Sequence, residues 1–267
     1  MARRSRLIGV DFSGARDAGQ HIWVALGSQA NGRLDLESCI PAMELPGGAP
    51  DRAAALSALV GFLIGERNAA AGLDFPFSLP ERFITEESWE DYLRVFAARY
   101  PTPEAFREDC RGQANGRELK RRTDVEARVP FCVYNLRLYR QTHAGMAEVL
   151  LPLLETGAAR ILPMQRPAAG RTTIAEICPA SILKAEGLYA PYKGRGPALR
   201  DSRHGLLGAL VARGMLRVPR PALAERIVED RGGDALDAVL AAIGAGRLPA
   251  RLPKPDRLDR IEGRVYF

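Results

Sequence analysis

Residues 7 to 12, Leu-Ile-Gly-Val-Asp-Phe, form a short apolar run closed by the turn residues Ser13-Gly14-Ala15 and Asp17 to Gly19, the pattern of a buried strand. Ile22, Val24 and Leu26 then alternate with His21, Trp23 and Ala25, and after the tight hairpin signal Asn31-Gly32 the alternation resumes at Leu34, Leu36 and Ile40. The spacing predicts three antiparallel strands in a meander. Beyond the Pro46 to Pro50 break, Asp51 is placed to cap a helix whose Leu56, Leu59, Val60 and Leu63 fall at helical spacing, and Ala70 to Phe75 forms another short apolar strand. Three strands, a helix and a strand predict a mixed sheet in which the fourth strand returns parallel to the first through a right-handed crossover.

From Pro80 to about Gln141 the pattern is helical and polar. Trp89, Tyr92, Phe96 and Tyr100 recur at intervals of three and four, a core stripe ending at Pro101. Met146, Val149, Leu150, Leu153 and Leu154 form a second helical face, with Pro152 expected to kink or end it. Further strands are predicted at Ile161-Leu162 and Thr172 to Cys178. A helix around Ser202 to Arg213, a proline-rich connector and a last helix from Gly233 to about Ala245 follow. No internal repeat or low-complexity tract interrupts this order. At 267 residues the chain is near the upper limit of one core. The expectation is one domain over 1–267, with the surplus length as a helical insertion at about 81–141.

Hydrophobic residues make up 46% of the chain and charged residues 26%, ordinary globular values far from the regime of disorder. The net charge is +6, and of 38 basic side chains only four are lysines. Such a charge permits phosphate or nucleic-acid partners without specifying a site. The basic start, Met1 to Arg6, is followed only by Leu7 to Val10 before Asp11, too short an apolar stretch for a signal peptide, and no run approaches membrane-spanning length. A cytoplasmic protein without a membrane partner is therefore expected. Cys39, Cys110, Cys132 and Cys178 are scattered, as are His21, His143 and His204, which argues against a zinc site or a disulfide framework and for reduced, buried thiols.

Several carboxylates sit where a strand pattern leaves little water. Asp11 shares its strand face with Leu7 and Gly9; Asp74 ends Gly72-Leu73 just before Phe75-Pro76; Glu176 shares a face with Ile174 and Cys178. Asp234 and Asp237 are spaced to lie on one face of the final helix. With the first and fourth strands adjacent and parallel, Asp11 and Asp74 stand side by side at their carboxyl ends, where open sheets place their sites. Such a cluster calls for a hard divalent cation, Mg²⁺ or Mn²⁺, held by oxygen ligands. Two such ions roughly 3.5–4 Å apart suit phosphodiester hydrolysis. Plainer roles are open for each residue: Asp234 as an N-cap, Asp237 as a favourable charge at the helix start, Asp74 as a turn cap, Glu176 as an arginine partner.

At these residues the chain resembles the family called domain of unknown function 429, described as predicted nucleases with a ribonuclease H-like fold. The resemblance runs through GVDFSGA with Asp11, GLDFPFSLP with Asp74 and Pro76, EICPASI with Glu176 and Pro179, and GDALDAVLAA with Asp234 and Asp237. The central RRTD and RQTHAG stretches, Lys193 to Arg203 and the terminal IEGRVYF extend it along the chain. It implies an α/β fold with a five-stranded mixed sheet, three antiparallel strands then parallel ones, flanked by helices. It also implies that Asp11, Asp74 and Glu176, with Asp237 or Asp234, are the metal-binding and catalytic carboxylates. After Asp11 this chain has Phe12-Ser13-Gly14-Ala15, and the Ser13 hydroxyl either touches a phosphate or satisfies its own turn.

A phosphate bound near carboxylates also needs cations. Lys193, Arg195, Arg200 and Arg203 lie in a stretch where only Asp201 is acidic, and they are either substrate-binding, Lys193 and Arg203 foremost, or a solvated basic face. Arg121, Arg122 and Asp124 precede Val129-Pro130 in a predicted loop that either shapes a cleft or ties the insertion to the core. The leading expectation is a metal-dependent nuclease acting on nucleic acid. The alternatives are a phosphotransferase or nucleotide hydrolase of actin-like fold, for which no second GVDFSGA-like hairpin is present after residue 140, and a non-catalytic nucleic-acid-binding module.

Overall fold

The computed structural model of the chain describes residues 6–249 and 253–267; the basic start up to Ser5 lies outside the described residues. Strand β1 (Arg6–Asp11) is followed by the one-turn helix α1 (Ala18–His21), then by β2 (Trp23–Ala30) and β3 (Arg33–Pro41), and the three strands pair antiparallel as expected. Asn31 and Gly32 make the β2–β3 turn, both with positive φ. The Asp51 carboxylate accepts the Ala54 N–H at 3.0 Å and starts α2 (Arg52–Gly65), after which β4 (Ala70–Asp74) returns parallel to β1.

The stretch predicted to be helical carries α3 (Trp89–Arg99) and α4 (Pro103–Gln113), capped by the hydroxyls of Ser88 and Thr102, and then α5 (Arg122–Glu126) and α6 (Tyr139–Ala144). The aromatic stripe is buried: Phe96 meets Tyr92, Tyr100 and Phe106 edge to face at centroid distances of 5.8, 5.2 and 5.5 Å. Pro152 does not end the helix. The chain widens into a π-helical stretch at Gly145–Leu150, and Pro152 falls in the first turn of α7 (Leu151–Thr156), where its missing N–H is tolerated.

The second half of the chain continues through β5 (Ala159–Ile161), β6 (Thr172–Ile177), α8 (Pro179–Ala185), α9 (Pro197–Ala212), β7 (Leu216–Arg217) and α10 (Pro221–Glu229). It ends with α11 (Asp234–Gly246), α12 (Arg257–Glu262) and β8 (Val265–Tyr266). The proline-rich connector is thus mostly helix α10, for Pro221 sits in its first turn, where proline initiates rather than breaks a helix. The sheet has eight strands in the order β5-β6-β4-β1-β2-β3-β7, with β8 beside β6. The resemblance implies five strands and the sheet has eight: β6, β4, β1, β2 and β3 form its contiguous middle, the short strand β5, expected near Ile161-Leu162, extends one side, and the two-residue strands β7 and β8 were not expected.

Helices flank both faces. Ile8, Val10, Ala71, Leu73 and Ile174 point toward α2, α3, α4 and the α6–α7 segment, while Leu7, Ala70, Ala175 and Ile177 point toward α8, α9, α10 and α11. Helix α11 is buried along nearly its whole length and lies unusually close to the sheet. A Cβ on Gly9 would stand 2.0 Å from the Ala238 carbonyl oxygen, and one on Gly72 would stand 2.4 Å from that of Ala241. Only glycine on β1 and β4, facing alanines on α11, permits this approach. No helix among the described residues is long and apolar enough to cross a membrane.

Candidate metal centre

The close packing of α11 sets the geometry of the site. In the β1–β4 ladder Asp11 pairs directly with Asp74 at the carboxyl ends of the two parallel strands, both on the α11 face with Gly9 and Gly72. Asp237 lies in the first turn of α11, which starts beside them. Carboxylate oxygens of Asp11, Asp74 and Asp237 lie within 4.8 Å of one another, so the three can hold a metal ion. Asp11 and Asp237 are buried and Asp74 is half-buried. Among the described residues no hydrogen bond or ion pair reaches the side chain of Asp11 or Asp74. Burial, reinforced by the neighbouring carboxylates and opposed by Lys193, pushes Asp11 well above the ordinary carboxylate range and Asp74 up to about 8. Unpartnered hard oxygen donors in a buried cluster are the donor set that a divalent cation requires.

Asp237 is the fixed member of the cluster. Its Oδ1 accepts the Tyr192 hydroxyl at 2.5 Å and its Oδ2 faces the Lys193 Nζ at 2.5 Å. Burial opposes the Lys193 charge, but Asp237 and Asp11 outweigh it and hold the ammonium above its ordinary pKa. The loop carrying Tyr192 and Lys193 packs on the start of α11. Gly233, at φ +77°, precedes the helix, and a Cβ there would stand 2.9 Å from the Tyr192 ring and 3.0 Å from Lys193 Cγ. Sequence reasoning missed Tyr192; its position next to Lys193 is a signal that single-residue scanning for acids and cations does not weigh.

Other expected site residues are placed differently. Glu176 does not join the cluster: the register pairs it with Leu73, and it shares with Ile174 the face opposite Asp11 and Asp74. Its carboxylate makes a bidentate pair with buried Arg121, whose Nη1 donates to Oε2 at 2.8 Å, and it also accepts the Phe77 N–H at 2.9 Å. Burial raises Glu176 and the Arg121 charge opposes that rise. With Glu176 committed in this way, the carboxylate oxygens that gather within reach of one another are those of the three aspartates.

Arg203, expected to bind substrate, does not line the cleft. It is buried and donates to the carbonyls of Val228 and Tyr192 at 2.7 Å each and of Gly194 at 3.2 Å, so its guanidinium clamps the loop that presents Lys193. Arg200 is bound to Glu225 and Glu229, so the expected basic run is largely neutralised within the fold. Asp234 stands at the margin of the cluster, 3.8 Å from His21 Nδ1 and 3.9 Å from Lys193 Nζ, and burial raises it to about 6. It is not the helix cap: the Asp230 carboxylate accepts the Ala235 N–H at 2.9 Å. The Ser13 hydroxyl accepts the Ala15 N–H at 3.3 Å, a local turn at the rim of the cleft.

Arg121 connects α5 with β6 and α12. It bonds Asp124 in its own segment, Glu176 on β6 and the Glu262 carbonyl at 3.1 Å. The stretch expected as a loop leads into helix α5; Arg121 and Arg122 tie it to β6 and α12, and Arg121 and Asp124 also line the cleft. The three aspartates lie in a cleft of about 650 Å³ whose lining also includes Phe131, Pro130, Leu138 and Tyr189. Cys39, Cys110 and Cys132 are buried and all four thiols are free. No family model, no curated protein and no solved structure matches the chain.

Proposed function

We propose that this chain is a metal-dependent nuclease of the ribonuclease H-like superfamily that hydrolyses phosphodiester bonds at Asp11, Asp74 and Asp237. The observation that carries the reading is the convergence of these three carboxylates, two of them without a hydrogen-bond or ion-pair partner among the described residues, at the carboxyl edge of parallel strands. The sheet order β3-β2-β1-β4-β6, antiparallel then parallel, agrees with the ribonuclease H-like arrangement, and the family resemblance of the motifs points the same way. On this reading the chain is one such domain with helices α3 to α5 inserted between residues 81 and 141. After residue 140 the described strands all join the one sheet, which offers no second actin-like half and disfavours the phosphotransferase alternative.

Asp11, Asp74 and Asp237 would hold one Mg²⁺ or Mn²⁺. When bound, such an ion lowers the pKa of a water and stabilises charge developing on phosphate oxygens. The protein supplies the rest. Tyr192 fixes one Asp237 oxygen so that the other is shared with Lys193. The half-exposed Lys193 ammonium is positioned to meet a non-bridging or departing oxygen of the diester. Arg203 holds the Lys193 loop by three backbone carbonyls. The test is cleavage of labelled RNA, DNA, hybrid and branched substrates with Mg²⁺ or Mn²⁺, beside Asp11→Asn. Absence of any metal-dependent, Asp11-dependent cleavage overturns the proposal; metal-insensitive binding of nucleic acid instead favours the non-catalytic module.

A further inference from the structure

The cleft is lined by six carboxylates, and the basic side chains lining it are already engaged: Arg121 by Asp124 and Glu176, Lys193 by Asp237, and His21 near Asp17 and Asp234. A duplex or long polyanion held by its phosphates needs several uncommitted cations, and these walls do not supply them. The lining also holds aromatic rings. Tyr189 is 59% exposed although its ring lines the cleft, and Phe131 lines it as well. Each ring is steadied by a cation: Lys184 Nζ lies 5.2 Å from the Tyr189 centroid and is itself tied to the Arg128 carbonyl, and Arg137 lies 5.1 Å from the Phe131 centroid. The volume of about 650 Å³ is in the range of a site for a small ligand.

We propose that Tyr189 and Phe131 are a stacking subsite for an unpaired nucleobase, so that the phosphodiester presented to the aspartates belongs to a single strand rather than to a duplex. The inference names the substrate class of the nuclease reading and rests on it. A base has two apolar faces and no net charge, which matches an aromatic wall, while its phosphate alone has to approach the carboxylates. Stacking is indifferent to which base is bound, so the subsite selects strandedness and not sequence. Binding led by stacking also depends weakly on salt, because few counterions are displaced.

The experiment is equilibrium binding of 2-aminopurine-labelled DNA and RNA oligonucleotides to the intact chain, followed by the quenching that stacking on an aromatic ring produces. The arms are a labelled dinucleotide, the same base within a single-stranded oligonucleotide, and that oligonucleotide annealed to its complement. The expected result is binding of the dinucleotide and the single strand but not the duplex, with a shallow salt dependence. Tyr189→Ala is expected to weaken binding about five- to 150-fold, and Tyr189→Phe to retain it. Equal binding of the duplex, unchanged binding by Tyr189→Ala, or no binding in any arm overturns the inference. Mn²⁺ titration of the same protein reads the carboxylate centre separately, so failure of the aromatic subsite is distinguishable from failure of the metal centre. Because Tyr189 is exposed, its truncation leaves the core intact, and a matching thermal midpoint verifies this.

Discussion

Asp11 and Asp74 face each other across a parallel ladder with no partner for either carboxylate among the described residues, an arrangement that costs folding free energy when no cation is present. Asp11→Asn is therefore expected to weaken Mn²⁺ binding by at least about a hundredfold, since even changes in residues behind metal ligands cost roughly 10–100-fold. The same substitution is expected to raise the thermal midpoint of the metal-free chain at pH 8; calorimetry with and without Mn²⁺ checks both. The sign of the pH dependence follows from Asp74, whose folded pKa near 8 lies above its unfolded value of 3.8. Between those values the folded, metal-free chain keeps a proton that the unfolded chain releases, so this group's contribution favours folding less as pH rises from about 4 to 8. Metal binding must expel that proton. Affinity for Mn²⁺ is thus expected to climb between pH 6 and 8 and level off above, with proton release visible by titration calorimetry in buffers of different ionisation heat. A pH-independent affinity would contradict this account. Arg121→Ala leaves Asp124 and Glu176 buried without their cation, and a loss of about 3–5 kcal/mol is expected in urea unfolding.

At the scale of elements, the α11–sheet contact decides whether a centre exists at all. Gly9→Ala forces the helix away from β1, and about 1–3 kcal/mol of stability is expected to be lost. Mn²⁺ affinity should fall with it although residue 9 touches no ligand; unaltered affinity in a folded Gly9→Ala chain would count against the helix as the positioning device. The meander, the α2 crossover and α11 were legible in the sequence because each carries a strong local signature: alternation, a capping Asp51, a Gly-Gly start. So was the placing of Asp11 beside Asp74, which follows from adjacency of the first and fourth strands. The face of Glu176 was not legible. Its apolar neighbours Ile174 and Cys178 mark a buried face, but which of the two faces depends on the β4–β6 register, a tertiary quantity. Arg203 misled for a similar reason: an arginine in a basic run reads as surface charge, and only the fold shows three carbonyls converging on it.

Across the whole molecule, the net charge of +6 and the character of the cleft are opposed. Six of the cleft's lining side chains are carboxylates, Asp11, Asp74, Asp124, Glu176, Asp234 and Asp237, against one arginine and one lysine, so the cleft attracts cations into a chain that is basic as a whole. The sheet divides two hydrophobic cores, and α11 closes one of them while carrying Asp237 to the carboxyl ends of β1 and β4 on that same face. The site is in this sense a property of the assembled layers rather than of any segment.

That distribution also has a consequence in time. The β2–β3 hairpin and the helices close through neighbours a few residues apart, whereas the cluster unites positions 11, 74 and 237 and waits for α11 to dock on β1. During refolding, the signal of bound Mn²⁺ is expected to lag behind the far-ultraviolet signal of local structure and to coincide with the last cooperative step. A chain stalled part-way would have its hairpin and its helices but no grip on the ion, so possession of the ion distinguishes the finished molecule from its unfinished copies.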